Sequence, residues 1–126
     1  MMKKMAATNV IILVLVSVVL GAFGQIAMKK GLKSRPIQIN ELISPKLFDI
    51  ILEPYVLLGA SLYIIATLIW LVVLSNAEVS QVYPLIAIGY VVTAVFAKFY
   101  LGENLSILRW LGIMLIVSGA VLVVRS

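Results

Sequence analysis

Few side chains in this sequence can do chemistry, and those that can stand inside apolar runs. Gln25 and Lys29 fall in the stretch G-A-F-G-Q-I-A-M-K-K-G, which closes a long run without charge. Further along, Tyr63, Thr67 and Trp70 share one apolar segment, and Tyr83 and Tyr90 share another. An amide and hydroxyls donate and accept hydrogen bonds, an indole offers a flat stacking face, and an ammonium pairs with phosphate. That inventory suits holding a polar solute, not breaking bonds. There is no cysteine and no histidine, so thiol nucleophiles, histidine proton shuttles and Cys/His zinc sites are excluded. No nucleophile stands beside a base, and no paired buried carboxylates appear. The sequence predicts no enzyme, no metal site and no cofactor, and nothing in it points to nucleic acid.

These residues have to be positioned by helices that cross a membrane. Of 126 residues, 63% are hydrophobic and only 12% are charged, against about 25% charged in a soluble domain. Residues 5–28, 54–77, 79–97 and 110–124 contain no Asp, Glu, Lys or Arg. A crossing helix needs roughly 20 residues, so the fourth run must begin before Arg109, near Ser106, with the arginine reaching toward headgroups. An all-α, polytopic membrane protein follows, one domain over residues 1–126 with four transmembrane helices at about 7–30, 54–76, 80–101 and 106–124. The competing account of the first run is a cleaved signal peptide, since Lys3 and Lys4 precede it and small residues end it.

The connections carry their own signals. Ser44 followed by Pro45 marks a helix start, and Leu47, Ile50 and Ile51 recur at helical spacing. Between the first two spans this predicts a short interfacial helix, with an irregular loop as the alternative. The turn S-N-A-E-V-S offers Asn76 or Ser80 as a cap, and Gly102 and Ser106 are placed as a C-cap and the next N-cap. Seven basic residues (Lys29, Lys30, Lys33, Arg35, Lys46, Lys98, Arg109) fall on one side of the membrane and three (Lys3, Lys4, Arg125) on the other. The positive-inside rule then favours both termini outside.

Advancing about 100° per residue shows which residues share a face. Ser17, Gly21, Gly24, Gln25 and Met28 share one stripe on the first span, with Lys29 just beyond it. Gly59, Tyr63, Thr67 and Trp70 share one on the second, and Tyr83, Ala87, Tyr90, Ala94 and Ala97 one on the third. Small residues on such stripes let helix backbones approach closely. Tyr55, Tyr100 and Trp110 lie at span ends, as interfacial belts do, whereas the central hydroxyls of Tyr63 and Tyr90 need a partner or water. Gln25 fits an interhelical hydrogen bond or a contact to a solute. Lys29 fits either a lysine reaching to anionic headgroups or an anion site at the mouth of a cavity; Lys30 points away and reads as an anchor. On the fourth span Gly112 and Gly119 lie on one face beside Leu108, Leu115 and Ile116, a groove suited to another copy or a related chain.

The acids, Glu41, Asp49, Glu53, Glu78 and Glu103, all fall at loops or helix boundaries. A proton-coupled exporter of cations needs an acid within the membrane, so that mechanism is disfavoured.

Several ordered segments together resemble the drug/metabolite transporter superfamily in its EamA and small-multidrug-resistance branches. They are the four short spans, A-E-V-S-Q-V-Y-P-L-I-A, the turn L-G-E-N-L-S followed by R-W-L-G, and the closing G-I-M-L-I-V-S-G-A. The likeness covers nearly the whole chain apart from residues 34–53. Within it, G-Q-I-A-M-K, and W-L-V-V-L-S-N leading to Y-P-L, are similar to the small subunits that flip aminoarabinose-phosphoundecaprenol across the bacterial inner membrane. Gly112 and Gly119 are similar to the glycine pair with which small multidrug transporters dimerise. Gly21 departs from that branch, which carries its essential glutamate there.

The resemblance implies alternating access in a homodimer, or in a heterodimer with a related four-helix subunit, located in the inner membrane. For a membrane lipid or lipid-linked sugar it implies Lys29 on the phosphate. Gln25, Tyr63 and Tyr90 would hydrogen-bond the sugar and Trp70 would stack on it, with Thr67 and Tyr83 completing the site. The alternatives are a small-multidrug-type exporter of cations or polar metabolites, and a non-transporting accessory membrane subunit.

Overall fold

In lipid an uncharged run satisfies its backbone by forming an unbroken helix. The computed structural model, which describes residues 7–33 and 36–126, shows such a helix as α1 (Ala7–Leu32). Lys3, Lys4 and Arg35, which enter the charge balance above, lie outside the described residues. After α1 come a short 3-10 helix (Ile39–Ile43), α2 (Lys46–Ile51), α3 (Pro54–Asn76), α4 (Val79–Val82), a 3-10 turn (Tyr83–Leu85), α5 (Ile86–Phe99) and α6 (Ile107–Arg125). Among the described residues, four helical stretches are long and apolar enough to cross a membrane: Thr8–Leu32, Pro54–Asn76, Val79–Phe99 and Ile107–Arg125.

Local chemistry sets the helix ends. Glu53 precedes Pro54, and its carboxylate accepts the Val56 N–H at 2.8 Å, so α3 starts with a capped proline turn. Ser106 does the same for α6, its hydroxyl accepting from the Arg109 N–H at 3.1 Å. Gly102, at φ 75°, takes the left-handed conformation that a side chain disfavours, and the Glu103 N–H returns to the Ala97 carbonyl at 2.9 Å. The Lys33 ammonium donates to the Leu101 carbonyl and ties this turn to the end of α1.

Two capping expectations need adjustment. Ser44 is extended and its hydroxyl accepts from the Lys46 N–H at 3.3 Å, but α2 begins at Lys46, one residue beyond the proline. At the start of the third span the cap position is held by Glu78, which makes no side-chain capping bond, and not by Asn76 or Ser80. The Asn76 side chain instead donates back to the Val72 carbonyl at 2.9 Å.

The third span also departs from a single uninterrupted helix. Pro84 supplies no N–H, and the chain tightens into the 3-10 turn at Tyr83–Leu85 before α5 resumes.

Packing follows the small residues. α1 is the central helix, lying mainly against α3 and next against α5. Gly24 and Gly59 face each other where α1 crosses α3. A Cβ on Gly24 would sit 2.7 Å from the Gly59 carbonyl oxygen, and one on Gly59 would overlap the Gly24 carbonyl. A Cβ on Gly89 would come 2.5 Å from Val18 Cγ1, so α5 also seats on α1 through a glycine. Val14 and Val73, both fully buried, anchor an apolar cluster with Val10, Val18, Val82 and Leu85. α6 is peripheral, touching α5, α4 and the 3-10 turn, and only 11% of its span is buried.

Candidate functional site

The stripes on the first three spans converge on one cavity of about 550 Å³. α1 contributes Ser17, Gly21 and Gln25, and α3 contributes Tyr63, Thr67 and Trp70. The third span brings Tyr83 from the proline turn and Gly89, Tyr90 and Thr93 from α5. Six of the seven expected contact residues, Gln25, Tyr63, Thr67, Trp70, Tyr83 and Tyr90, therefore line the same space. α6 lines none of it.

Each wall has a local cause. The 3-10 turn at Pro84 swings Tyr83 beside Trp70, edge-on with ring centroids 6.4 Å apart. The Thr67 hydroxyl donates to the Tyr63 carbonyl one turn back at 2.9 Å, which leaves its oxygen lone pairs for an incoming donor. Buried Ser17 is satisfied in the same way, by the Val14 carbonyl at 2.9 Å. Among the described residues, the Gln25 amide and the hydroxyls of Tyr63, Tyr83 and Tyr90 make no hydrogen bond to protein. Four polar groups without protein partners, facing one cavity at membrane depth, need water or a solute.

The cavity is an open cleft. Tyr63 is 46% exposed, Tyr90 44% and Tyr83 60%. The three tyrosines that line it are thus reachable from outside the protein.

Among the described residues, the lining carries no charged side chain. Lys29 is not part of it: this exposed residue stands one turn past Gln25, roughly 6 Å further along α1. None of the described carboxylates lines the cleft either. At Gly21, a Cβ would meet only Ala66 Cβ at an ordinary 3.8 Å, so the position has room for a side chain that the sequence does not supply. Among the described residues no group of three His, Cys, Asp or Glu side chains could hold a metal ion.

Sequence reasoning missed Ser17 and Thr93 as lining residues. Ser17 was legible on the stripe that carries Gln25, whereas Thr93 sits three residues after Tyr90 on a helix whose phase depends on the Pro84 turn. It also missed the surroundings of Lys30, which is no bare anchor. The Lys30 ammonium donates to the Tyr100 hydroxyl at 2.8 Å and lies 4.0 Å from the centre of the Tyr100 ring and 5.5 Å from that of Tyr55. Gly112 and Gly119 have open space where a Cβ would be, so no element of the described chain packs on that face of α6.

The EamA-like transporter family model matches residues 5–125. A probable 4-amino-4-deoxy-L-arabinose-phosphoundecaprenol flippase subunit ArnF of Shewanella sediminis is 30% identical over 124 residues, 90% of this chain and 86% of that protein. The corresponding ArnE subunit of Pseudomonas fluorescens Pf0-1 is 33% identical over 55 residues, 44% of this chain and 48% of that protein. This chain thus spans about half the length of the ArnE relatives it matches. An uncharacterized protein y4nH of Sinorhizobium fredii is 29% identical over 117 residues, 92% of this chain and 95% of that protein. No solved structure matches. With four membrane-crossing helices and a family model matched from residue 5 to residue 125, this multi-pass membrane protein belongs to the EamA-like transporter family.

Proposed function

We propose that this transporter flips a polyprenyl-phosphate-linked sugar, or a similar anionic lipid, across the bacterial inner membrane. The observation that carries the reading is the convergence of Gln25, Tyr63, Thr67, Trp70, Tyr83 and Tyr90 on one open cleft in which none of the described carboxylates takes part. A sugar ring presents hydroxyls to the amide and phenols and an apolar face to the indole. The lipid tail stays in the bilayer through the open side, so only the polar head needs shelter. Lys29 stands outside the cleft, one turn beyond Gln25, where it meets the phosphate as the head enters or leaves. A neutral lining also suits passage, because a fixed buried cation would hold the phosphate within the membrane.

The unpacked glycine face of α6 supports pairing with a second four-helix unit, whether a copy or a related subunit. Alternating access then arises as the two units rock about the substrate. The names of the relatives describe flippase subunits, which agrees with a partner.

The test is movement of a lipid-linked amino sugar in vesicles holding the protein with its co-purifying partner, read with a membrane-impermeant amine reagent. The wild type is expected to expose inner-leaflet substrate faster than protein-free vesicles. Lys29→Ala is expected to reduce that rate at least tenfold, with unchanged expression and association. An unaltered rate in Lys29→Ala would remove the lysine from the path. Rapid flux of a lipophilic cation driven by a pH gradient would instead favour a small-multidrug-type exporter.

A further inference from the structure

A second recess lies on the other side of α1. Its α1 wall is Phe23, Ile26, Ala27 and Lys30, centred about 150° around the helix from the Gln25 stripe. α3 contributes Tyr55, Leu58 and Leu62, and Phe96 and Tyr100 come from the end of the third span. The groove holds about 340 Å³ and is lined almost wholly by carbon. Phe23 and Phe96 brace its floor edge to face, with centroids 4.9 Å apart. Its one charged lining group is the half-buried Lys30, held between the rings of Tyr55 and Tyr100.

We propose that this groove is a binding site for an anionic phospholipid of the surrounding bilayer, with one hydrocarbon chain in the groove and the phosphate on Lys30. Charge complementarity and size both argue for that occupant. The only hydrogen bond that Lys30 makes among the described residues is to the Tyr100 hydroxyl, which uses one of its three donors. None of the described carboxylates pairs with it. Glu53, whose carboxylate lies against Gly31, is engaged in capping the Val56 N–H at 2.8 Å. The tyrosine rings fix the ammonium near the membrane boundary, so ordering it for an anion costs little further side-chain entropy. At the ~30 Å³ of a water-sized unit, 340 Å³ takes roughly eleven methylene groups, a stretch of one chain and not two.

This site is separate from the Gln25 cleft and does not depend on what that cleft transports. Its test therefore reads bound lipid and not transport. The detergent-purified protein would be titrated with phosphatidylglycerol, phosphatidylcholine and inorganic phosphate, and lipid-bound forms counted by native mass spectrometry. Phosphatidylglycerol is expected to bind more tightly than phosphatidylcholine, and inorganic phosphate not to compete. Lys30→Gln is expected to weaken phosphatidylglycerol roughly five- to tenfold, as loss of one interfacial lysine should. Lys30→Arg should retain most of the binding, and Lys46→Gln, a charge removed at the same membrane end, should leave it unchanged. Leu58→Trp, which fills the groove while leaving Lys30, should also weaken binding and covers the case in which Lys30→Gln does not fold. Equal binding of the two lipids, displacement by inorganic phosphate alone, or undiminished binding in both Lys30→Gln and Leu58→Trp would overturn the assignment.

Discussion

Gln25, Tyr63 and Tyr90 owe their interest to what they lack: each turns a polar group into the cleft, and no group among the described residues answers it. A substrate hydrogen bond of ordinary strength is worth about 0.5–1.5 kcal/mol. Tyr63→Phe and Tyr90→Phe should therefore each weaken substrate binding roughly two- to tenfold, while the melting temperature in detergent stays put because no internal bond is lost. A melting point lowered in step with affinity would assign the hydroxyls a structural role. Gly21 gives a sharper contrast. Alanine fits there, since a Cβ has ordinary contact distance to Ala66, and should be nearly silent. Glutamate would place a charge in a neutral cleft and should cut transport of an anionic lipid by more than tenfold at neutral pH. Uptake assays of the two variants side by side would show whether charge, not bulk, decides.

At the scale of the element, glycine crossings and one proline set the geometry of the cleft. The Gly24 and Gly59 stripes were readable as close-packing faces, because their spacing puts them in phase with the polar residues. The turn at Pro84 was not anticipated, although the proline stands in plain view, because an apolar run reads as one span whether or not its first turns are tightened. Its consequence is the placement of Tyr83 against Trp70. The surroundings of Lys30 were hidden for another reason: Tyr55 and Tyr100 are far away in sequence, and their grouping depends on how three helices cross. Gly59→Ala should destabilise the folded protein by about 1–3 kcal/mol, since its Cβ meets backbone that has little room to yield. A melting temperature equal to wild type would mean that α1 and α3 cross less closely than described.

For the whole molecule, the charge-free runs fixed the membrane architecture, and the stripes indicated which three spans face one another. The separateness of α6 was legible in the shared face of Gly112 and Gly119 and in its lack of a polar stripe. In the fold it stands apart, with Gly112 and Gly119 facing open space. Substituting both with leucine should leave the monomer's melting temperature within a degree or two while reducing crosslinked dimer or heterodimer severalfold in membranes. Loss of the folded monomer would show that the face is needed within one chain.

The central claim is that the cleft between the first three spans receives the polar head of a lipid. A photoreactive phenylalanine analogue at Tyr63 or Tyr90, activated in native membranes, tests this most directly, with Leu115 on the exposed side of α6 as reference. The two cleft positions should yield adducts carrying the mass of a polyprenyl-phosphate sugar or similar anionic lipid, and Leu115 should not. Bulk phospholipid alone at all three positions would contradict the account.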